Sequence, residues 1–241
     1  MQCQHNIYHM VYQEILAMIQ NPELTKLPPE TKLAQQLGVS RITIRDILAD
    51  FEAKGYITRR RKLGTIINRH IVKESARLDI ENLYMDMIRS SGFDASCRVL
   101  GITRQPPTPV IADALCLPHD NIYRIRKVLY ADGKPVIYIN DYVSECFFNH
   151  EDLDIQLIEE STYLFVQKFY KKPLVSSVSH LDTLTVEDDL SRIMQLRCGE
   201  SVLQLNTIAF DEDQRPVVYT LEYFNTKIIP FSIQRRLSTK R

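Results

Sequence analysis

The chain has 241 residues, 44% of them hydrophobic and 25% charged, and its 30 Lys and Arg are balanced by 30 Asp and Glu. This length suits one large domain or two smaller ones. No run approaches the roughly 20 apolar residues of a membrane helix, and five scattered cysteines without a CxxC pair exclude a disulfide framework or zinc cluster, so neither membrane, metal nor cofactor is expected and the cytoplasm is the expected location.

The balanced charge hides an asymmetry. Residues 1–73 carry 11 Lys and Arg against 6 Asp and Glu, whereas residues 74–241 carry 19 against 24. A basic first part favours a polyanion and an acidic second part another kind of partner, which points to two domains. Tyr8, Val11, Tyr12, Ile15 and Ile19 share one helical face, and Asn21-Pro22 ends that pattern. A loop through Pro28-Pro29 leads to Leu33, Ala34 and Leu37, a second short helix stopped by Gly38. Ser40 stands where an N-cap belongs, and Ile44, Ile47, Leu48 and Phe51 form the buried stripe of a third helix ending at Gly55. Beyond it, YITRRR and GTIIN read as two β runs around RKLG, a hairpin beside the third helix. Residues 68–76 are polar and aperiodic and read as a linker.

After the linker, Leu83, Tyr84, Met87 and Ile88 mark a helix ended by Gly92. Strands are expected at 96–103, 121–130 and 174–184, a long helical region at about 147–170, a helix at 186–196, and strands to the end, so the class is α+β. One internal echo stands out: LYADGKPVIYINDYV at 129–143 against AFDEDQRPVVYTLEYF at 209–224. Each is strand, acidic turn, proline, strand. Tyr138 matches Tyr219, Asp141 matches Glu222 and Tyr142 matches Tyr223, which favours a duplicated strand pair.

In a helix-turn-helix, a short helix braces a second whose N-terminal residues enter the major groove. Ser40, Arg41, Thr43 and Arg45 occupy the start of the third helix on sides left free by its apolar stripe. Arginine makes bidentate contacts to guanine or neutralises phosphate, and the hydroxyls bond either. Arg59, Arg60, Arg61 and Lys62 then follow the adjacent backbone or minor groove. The run LPPETKLAQQLGVSRITIRDILADFEAKGYITRRRKLGT resembles the winged helix-turn-helix of the GntR family of bacterial transcription regulators. That resemblance implies Lys32, Ser40, Arg41, Thr43, Arg45, Arg60, Arg61, Lys62, Gly64 and Thr65 as DNA-binding residues. Two positions depart from the family pattern: Thr31 stands in place of its arginine, with Lys32 beside it, and Lys62 in place of a wing glycine.

Residues from about 75 onward resemble the effector-binding UTRA domain of the HutC subfamily, a chorismate-lyase-like fold, through DALCLPHDNIYRIRKVLYADGKPVIYINDYV and IMQLRCGESVLQLNTIAFDEDQRPVVYTLEYF. The resemblance implies residues 1–67 as winged helix-turn-helix, 68–76 as linker, and 77–241 as effector-binding and dimerisation domain. In relatives that bind amino-sugar phosphates an R-x-R pair precedes the turn. Here Lys127 and Leu129 take its place, and Arg124 and Arg126 lie one strand position out of phase. Arg124, Arg126, Lys127, Asp141 and Glu222 are therefore the effector-binding candidates. The alternatives are solvated arginines on a strand's outer face, and tyrosine or backbone hydrogen bonds for the two acids. The expected function is a homodimeric, ligand-responsive regulator of double-stranded operator DNA, a repressor released by a small, possibly anionic, effector. The alternative is a lyase-like enzyme acting on a small carboxylate.

Overall fold

The structure, a computed structural model, describes residues 2–74, 76–80, 83–117 and 120–235. The chain forms two compact units, Met1–Glu81 with Ser232–Arg241, and Asn82–Phe231.

In the first unit, α1 (Gln2–Gln20), α2 (Glu30–Leu37) and α3 (Arg41–Ala53) pack around Ile15, Ile19, Leu33, Ile44, Leu48 and Phe51. Each apolar stripe has the spacing of one helical face, which is why three short helices suffice to exclude water. Gly38, at φ +66°, turns the chain out of α2, and the Ser40 hydroxyl accepts the Thr43 N–H to start α3. A small sheet follows. β2 (Ile57–Arg60) and β3 (Gly64–Ile67) form the hairpin, and a two-residue β1 (Lys26–Leu27), not anticipated from the sequence, pairs with β3.

Residues 68–76, expected as an aperiodic linker, contain a one-turn helix, α4 (Arg69–Val72), with Ile71 buried; Ser75 lies outside the described residues. Two arginines explain the order. The Arg69 guanidinium donates to the carbonyl of Ile19 in the last turn of α1 and to those of Asn21 and Leu24 in the loop that follows. Arg77, 3% exposed, donates to the Lys54 carbonyl at the end of α3 (2.6 Å), pairs with both oxygens of Asp79 and lies over the Tyr56 ring. Helix C-termini leave carbonyls without partners, and cations there are favourable twice over. The segment near the C-terminus closes this unit: Leu78 N–H donates to the Ser232 carbonyl and Ser232 N–H to that of Ala76, both at 2.9 Å. The Gln234 side chain lies so close over Gly55, at φ +76°, that a Cβ there would collide with it.

The second unit is an antiparallel sheet of order β4-β5-β6-β9-β8-β7. Its strands are β4 (Ala95–Gln105), β5 (Ile122–Ala131), β6 (Lys134–Ser144), β7 (Leu174–Thr185), β8 (Ser201–Asp211) and β9 (Pro216–Phe224). The sequence echo corresponds to the hairpins β5–β6 and β8–β9, joined where β6 pairs with β9 in the register Asn140↔Leu221. One face, with Ile125, Val143, Ala209 and Val218, is covered by α7 (Ile155–Glu160) and α8 (Thr162–Phe169), and α5 (Tyr84–Ser90) lies against β4 and β5. On the other face Tyr138 stacks on Tyr223 and Tyr142 lies against Tyr219, with α6 (Pro109–Ala114) and α9 (Asp188–Met194) over the two ends. The long helix expected at 147–170 is instead two 3₁₀ turns and the short helices α7 and α8. Asp154 caps α7, and Ser161, extended at φ −164°, ends α7 and caps α8. Helix α6 was not anticipated; Thr108 caps it ahead of Pro109.

Replacing Arg77 by alanine removes the guanidinium from the Lys54 carbonyl and from Asp79, which keeps the Gln234 N–H. The first unit is then expected to lose about 1–3 kcal/mol, read as faster amide exchange in the last turn of α3 while β5 and β6 keep their protection.

Candidate functional site

Exposed cations of the first unit lie on α2, on α3 and on the hairpin. Arg41 and Ile42 open α3 fully to solvent, Ile42 at 71% exposure, because the buried stripe begins only at Ile44. Ser40 Oγ is engaged by Thr43, to its N–H at 3.1 Å and its hydroxyl at 2.9 Å, so this pair fixes the helix start as well as facing outward. Arg45 stays exposed and reaches Glu30 of α2 at 3.3 Å. That single exposed contact orients the side chain without sequestering it. Lys32 is exposed on α2.

On the hairpin, Leu63 N–H bonds the Arg60 carbonyl to close the turn, and Gly64 takes φ +82°. Arg60, Arg61 and Lys62 are exposed and form no ion pair among the described residues. Thr65 is half-buried between Leu27 and Arg59 in the sheet. Arg59, expected with its neighbours to follow a nucleic-acid backbone, is turned inward: its backbone N–H and Nε hold both oxygens of Glu52 at 2.8 and 2.7 Å, pinning the hairpin to α3. Ile42 went unremarked in the sequence, although an apolar residue off the buried stripe, between Arg41 and Thr43, was its signal. Its side chain suits the thymine methyl group.

The effector candidates divide between the two faces of the sheet. Lys127, Asp141 and Glu222 are 5%, 2% and 4% exposed, on the face under α7 and α8. The Lys127 ammonium donates to the Ile158 carbonyl (3.1 Å) and to Thr162 Oγ1 (2.8 Å), and lies 3.5 Å from Asp141. Asp141 accepts from the Thr162 and Thr220 hydroxyls. Glu222 accepts from Thr207 at 2.9 Å and from the Tyr84 hydroxyl of α5. Arg124 and Arg126 point to the opposite face. There Arg124 holds Asn140 Oδ1 at 2.6 and 3.0 Å and lies over the Tyr142 ring. The structure therefore brings three of the five candidates together and separates the two arginines, because residues one step apart along a strand face opposite ways.

Tyr84, Thr162, Thr207 and Thr220 complete the cluster; in the sequence Tyr84 marks only a helix face, and the three threonines were not singled out. Thr207 had a signal, since it shares its strand face with Leu205 and Ala209. A cleft of about 390 Å³ lies on the same side, lined by Leu83, Met85, Asp86, Arg89, Cys97, Glu159 and Glu160. Cys97 and Lys127 are close on adjacent strands of this face, and burial pushes the Cys97 thiol up to about 11 against the pull of the Lys127 charge. Arg89 is paired with Asp86 at 2.9 Å, so the lining is acidic.

Burial is also what moves Glu222, pushing its carboxyl up to about 7 although the Tyr84 and Thr207 hydroxyls favour the charged form. The folded chain therefore keeps a proton that an unfolded chain releases near 4.5, so stability falls as pH rises from about 4.5 to 7. The loss is on the order of 3 kcal/mol once complete. Denaturant titrations between pH 5 and 8 are expected to show a slope that Glu222→Gln flattens; an equal slope in the variant would mean that Glu222 ionises freely.

Comparison with known proteins matches residues 7–67 to "Bacterial regulatory proteins, gntR family" and residues 90–229 to the UTRA domain. The probable fructoselysine utilization operon transcriptional repressor of Escherichia coli K12 is 26% identical over 80% of this chain and 78% of its own. The histidine utilization repressor of Pseudomonas putida is 25% identical over 82% of this chain and 79% of its own. In fold, the crystal structure of the possible transcriptional regulator YydK from Bacillus subtilis superposes with a TM-score of 0.77 at 22% identity, covering 95% of this chain and 99% of that one. With a UTRA model spanning more than half of its length behind a gntR-family match at residues 7–67, the chain belongs to the UTRA-bearing bacterial regulatory proteins of the gntR family, and is a transcription regulator rather than an enzyme.

Proposed function

We propose that the chain is a homodimeric repressor of genes for uptake or breakdown of a small metabolite, acting in the cytoplasm and leaving its operator when an effector fills the acidic cleft. The single observation that carries this reading is the exposed start of α3, where Arg41, Ile42 and Arg45 stand clear of the core in the same unit as the exposed cations of the hairpin. Arg41, Arg45, Ser40, Thr43 and Ile42 read base edges. Lys32, Arg60, Arg61, Lys62 and the backbone at Gly64 and Thr65 follow phosphates or the minor groove. Two such readers on a two-fold axis fit half-sites about one helical turn apart.

On the sensing side, the cation expected to hold an anion is already satisfied, since Lys127 is occupied by Asp141, Thr162 and the Ile158 carbonyl. With Asp86, Glu159 and Glu160 in the cleft, the better-suited effector offers hydroxyl or ammonium donors rather than an anionic group. Helix α5 lines the cleft, bonds Glu222 through Tyr84, and begins directly after the chain enters the second unit. An effector that moves α5 thus acts on the covalent connection to the reader. Its leverage is limited to its differential affinity for the two states, commonly about 1–3 kcal/mol.

Arg45→Ala is expected to cost about 1–3 kcal/mol of discrimination between operator and random DNA, measured by competition gel shift. Neutralising Arg60, Arg61 and Lys62 together should weaken binding to all sequences and flatten the slope of log affinity against log salt by about 0.9 for each phosphate no longer neutralised. For the sensor, thermal-shift screening of the full chain against polyols, amino sugars, sugar phosphates and carboxylates is expected to favour the first two classes. Any hit should then lower operator affinity by about 5- to 150-fold; a stabilising hit that leaves operator affinity unchanged would sink the switch.

A further inference from the structure

The two edges of the six-stranded sheet are treated differently. Strand β4 carries Arg98 and Arg104, is interrupted by a bulge between Val99 and Gly101, and has α5 and α7 against it. Those are the devices that keep a sheet edge from recruiting another strand. Strand β7 is less guarded: its one register shift lies at its very start, between Leu174 and Ser176. Its twelve residues, LVSSVSHLDTLT, contain no lysine, arginine or proline, and its pairing with β8 runs without interruption from Ser176 to Thr185. Val175, Val178, Leu181 and Leu184 are 53%, 52%, 51% and 38% exposed. A long, regular edge with apolar side chains on both faces is a template for pairing.

The sequence of β7 selects its own partner. Antiparallel pairing of two identical strands about a two-fold axis normal to the sheet sets residues of the same face opposite one another. With the axis at Leu181, His180 faces the partner subunit's Asp182, Val178 faces the partner subunit's Leu184, Ser179 faces the partner subunit's Thr183, and Leu181 meets its own copy. Every pair is complementary. Shifting the axis to residue 180 or 182 sets two imidazoles or two carboxylates against each other. Shifting it to residue 178, 179 or 183 pairs a charged or imidazole side chain with an apolar one or leaves it facing serine.

We propose that β7 is the seam of the dimer: it pairs antiparallel with β7 of a second copy, centred on Leu181, and fuses the two sheets into one. The seam rests on the homodimer part of the function proposed above. The test uses the full chain. Leu181→Arg sets two guanidinium groups across the axis and should raise the dimer dissociation constant at least about 100-fold, seen as a monomer by sedimentation velocity. Because Leu181 is half exposed, the far-ultraviolet circular dichroism of the monomeric variant should be unchanged. Register is read by cross-linking in a background with Cys116, Cys146 and Cys198 changed to serine. Leu181→Cys should close a disulfide between copies, and Ser179→Cys mixed with Thr183→Cys should do so although neither alone does. A Leu181→Arg chain that remains dimeric, with no such cross-links, would overturn the seam and leave the dimer standing. A parent chain that is monomeric both free and on operator DNA would overturn the dimer and the seam with it.

Discussion

The register of β6 against β9 governs the whole second unit. Pairing Asn140 with Leu221 sets Tyr138 against Tyr223 and Tyr142 against Tyr219 on one face, and brings Asp141 and Glu222 together on the other. A slip of β9 by one residue would turn Tyr219 and Tyr223 toward α7 and α8 and Glu222 toward the opposite face, breaking both ring pairs and parting the two acids. The two hairpins share turn chemistry and side-chain order, so each supplies one tyrosine to each ring pair and one acid to the covered face. The pseudo-symmetry is broken only locally, where Asp141 meets Lys127 and Glu222 meets Tyr84.

Charges under a layer of helix are poor sources of stability, because desolvation offsets most of what their attraction contributes. Their value here is arrangement. Lys127 ties the end of α7 and the start of α8 to the sheet, and Tyr84 ties α5 to β9, so the helices over this face are held by a polar network as well as by Phe165 and Val166. The elements beside the adjoining cleft are thus positioned by a few hydrogen bonds in addition to apolar packing, and such bonds can exchange partners when a neighbouring element shifts.

Much of this was legible in the sequence because it depends on local rules. The stripes of α1, α2 and α3, the Ser40 cap and the two strand–turn–strand repeats follow from periodicity and turn chemistry. What escaped depends on distance along the chain. Nothing near Arg59 or Arg77 announces Glu52 or the Lys54 carbonyl as its partner. The separation of Arg124 and Arg126 from Lys127 follows from strand alternation, yet which face would carry the helices was fixed only by packing. Helices α7 and α8 read as one because their apolar residues are nearly continuous, and a single serine with an extended backbone divides them.

The bridge between residues 76–78 and Ser232 makes the reader discontinuous in the chain. During synthesis the recognition helix leaves the ribosome early, whereas the backbone partner of Ala76 and Leu78 emerges only after the entire second unit. A product cut short anywhere before residue 232 therefore carries the helix-turn-helix without the segment that closes its support. Any fragment of the reader made for study has to bring that late segment with it.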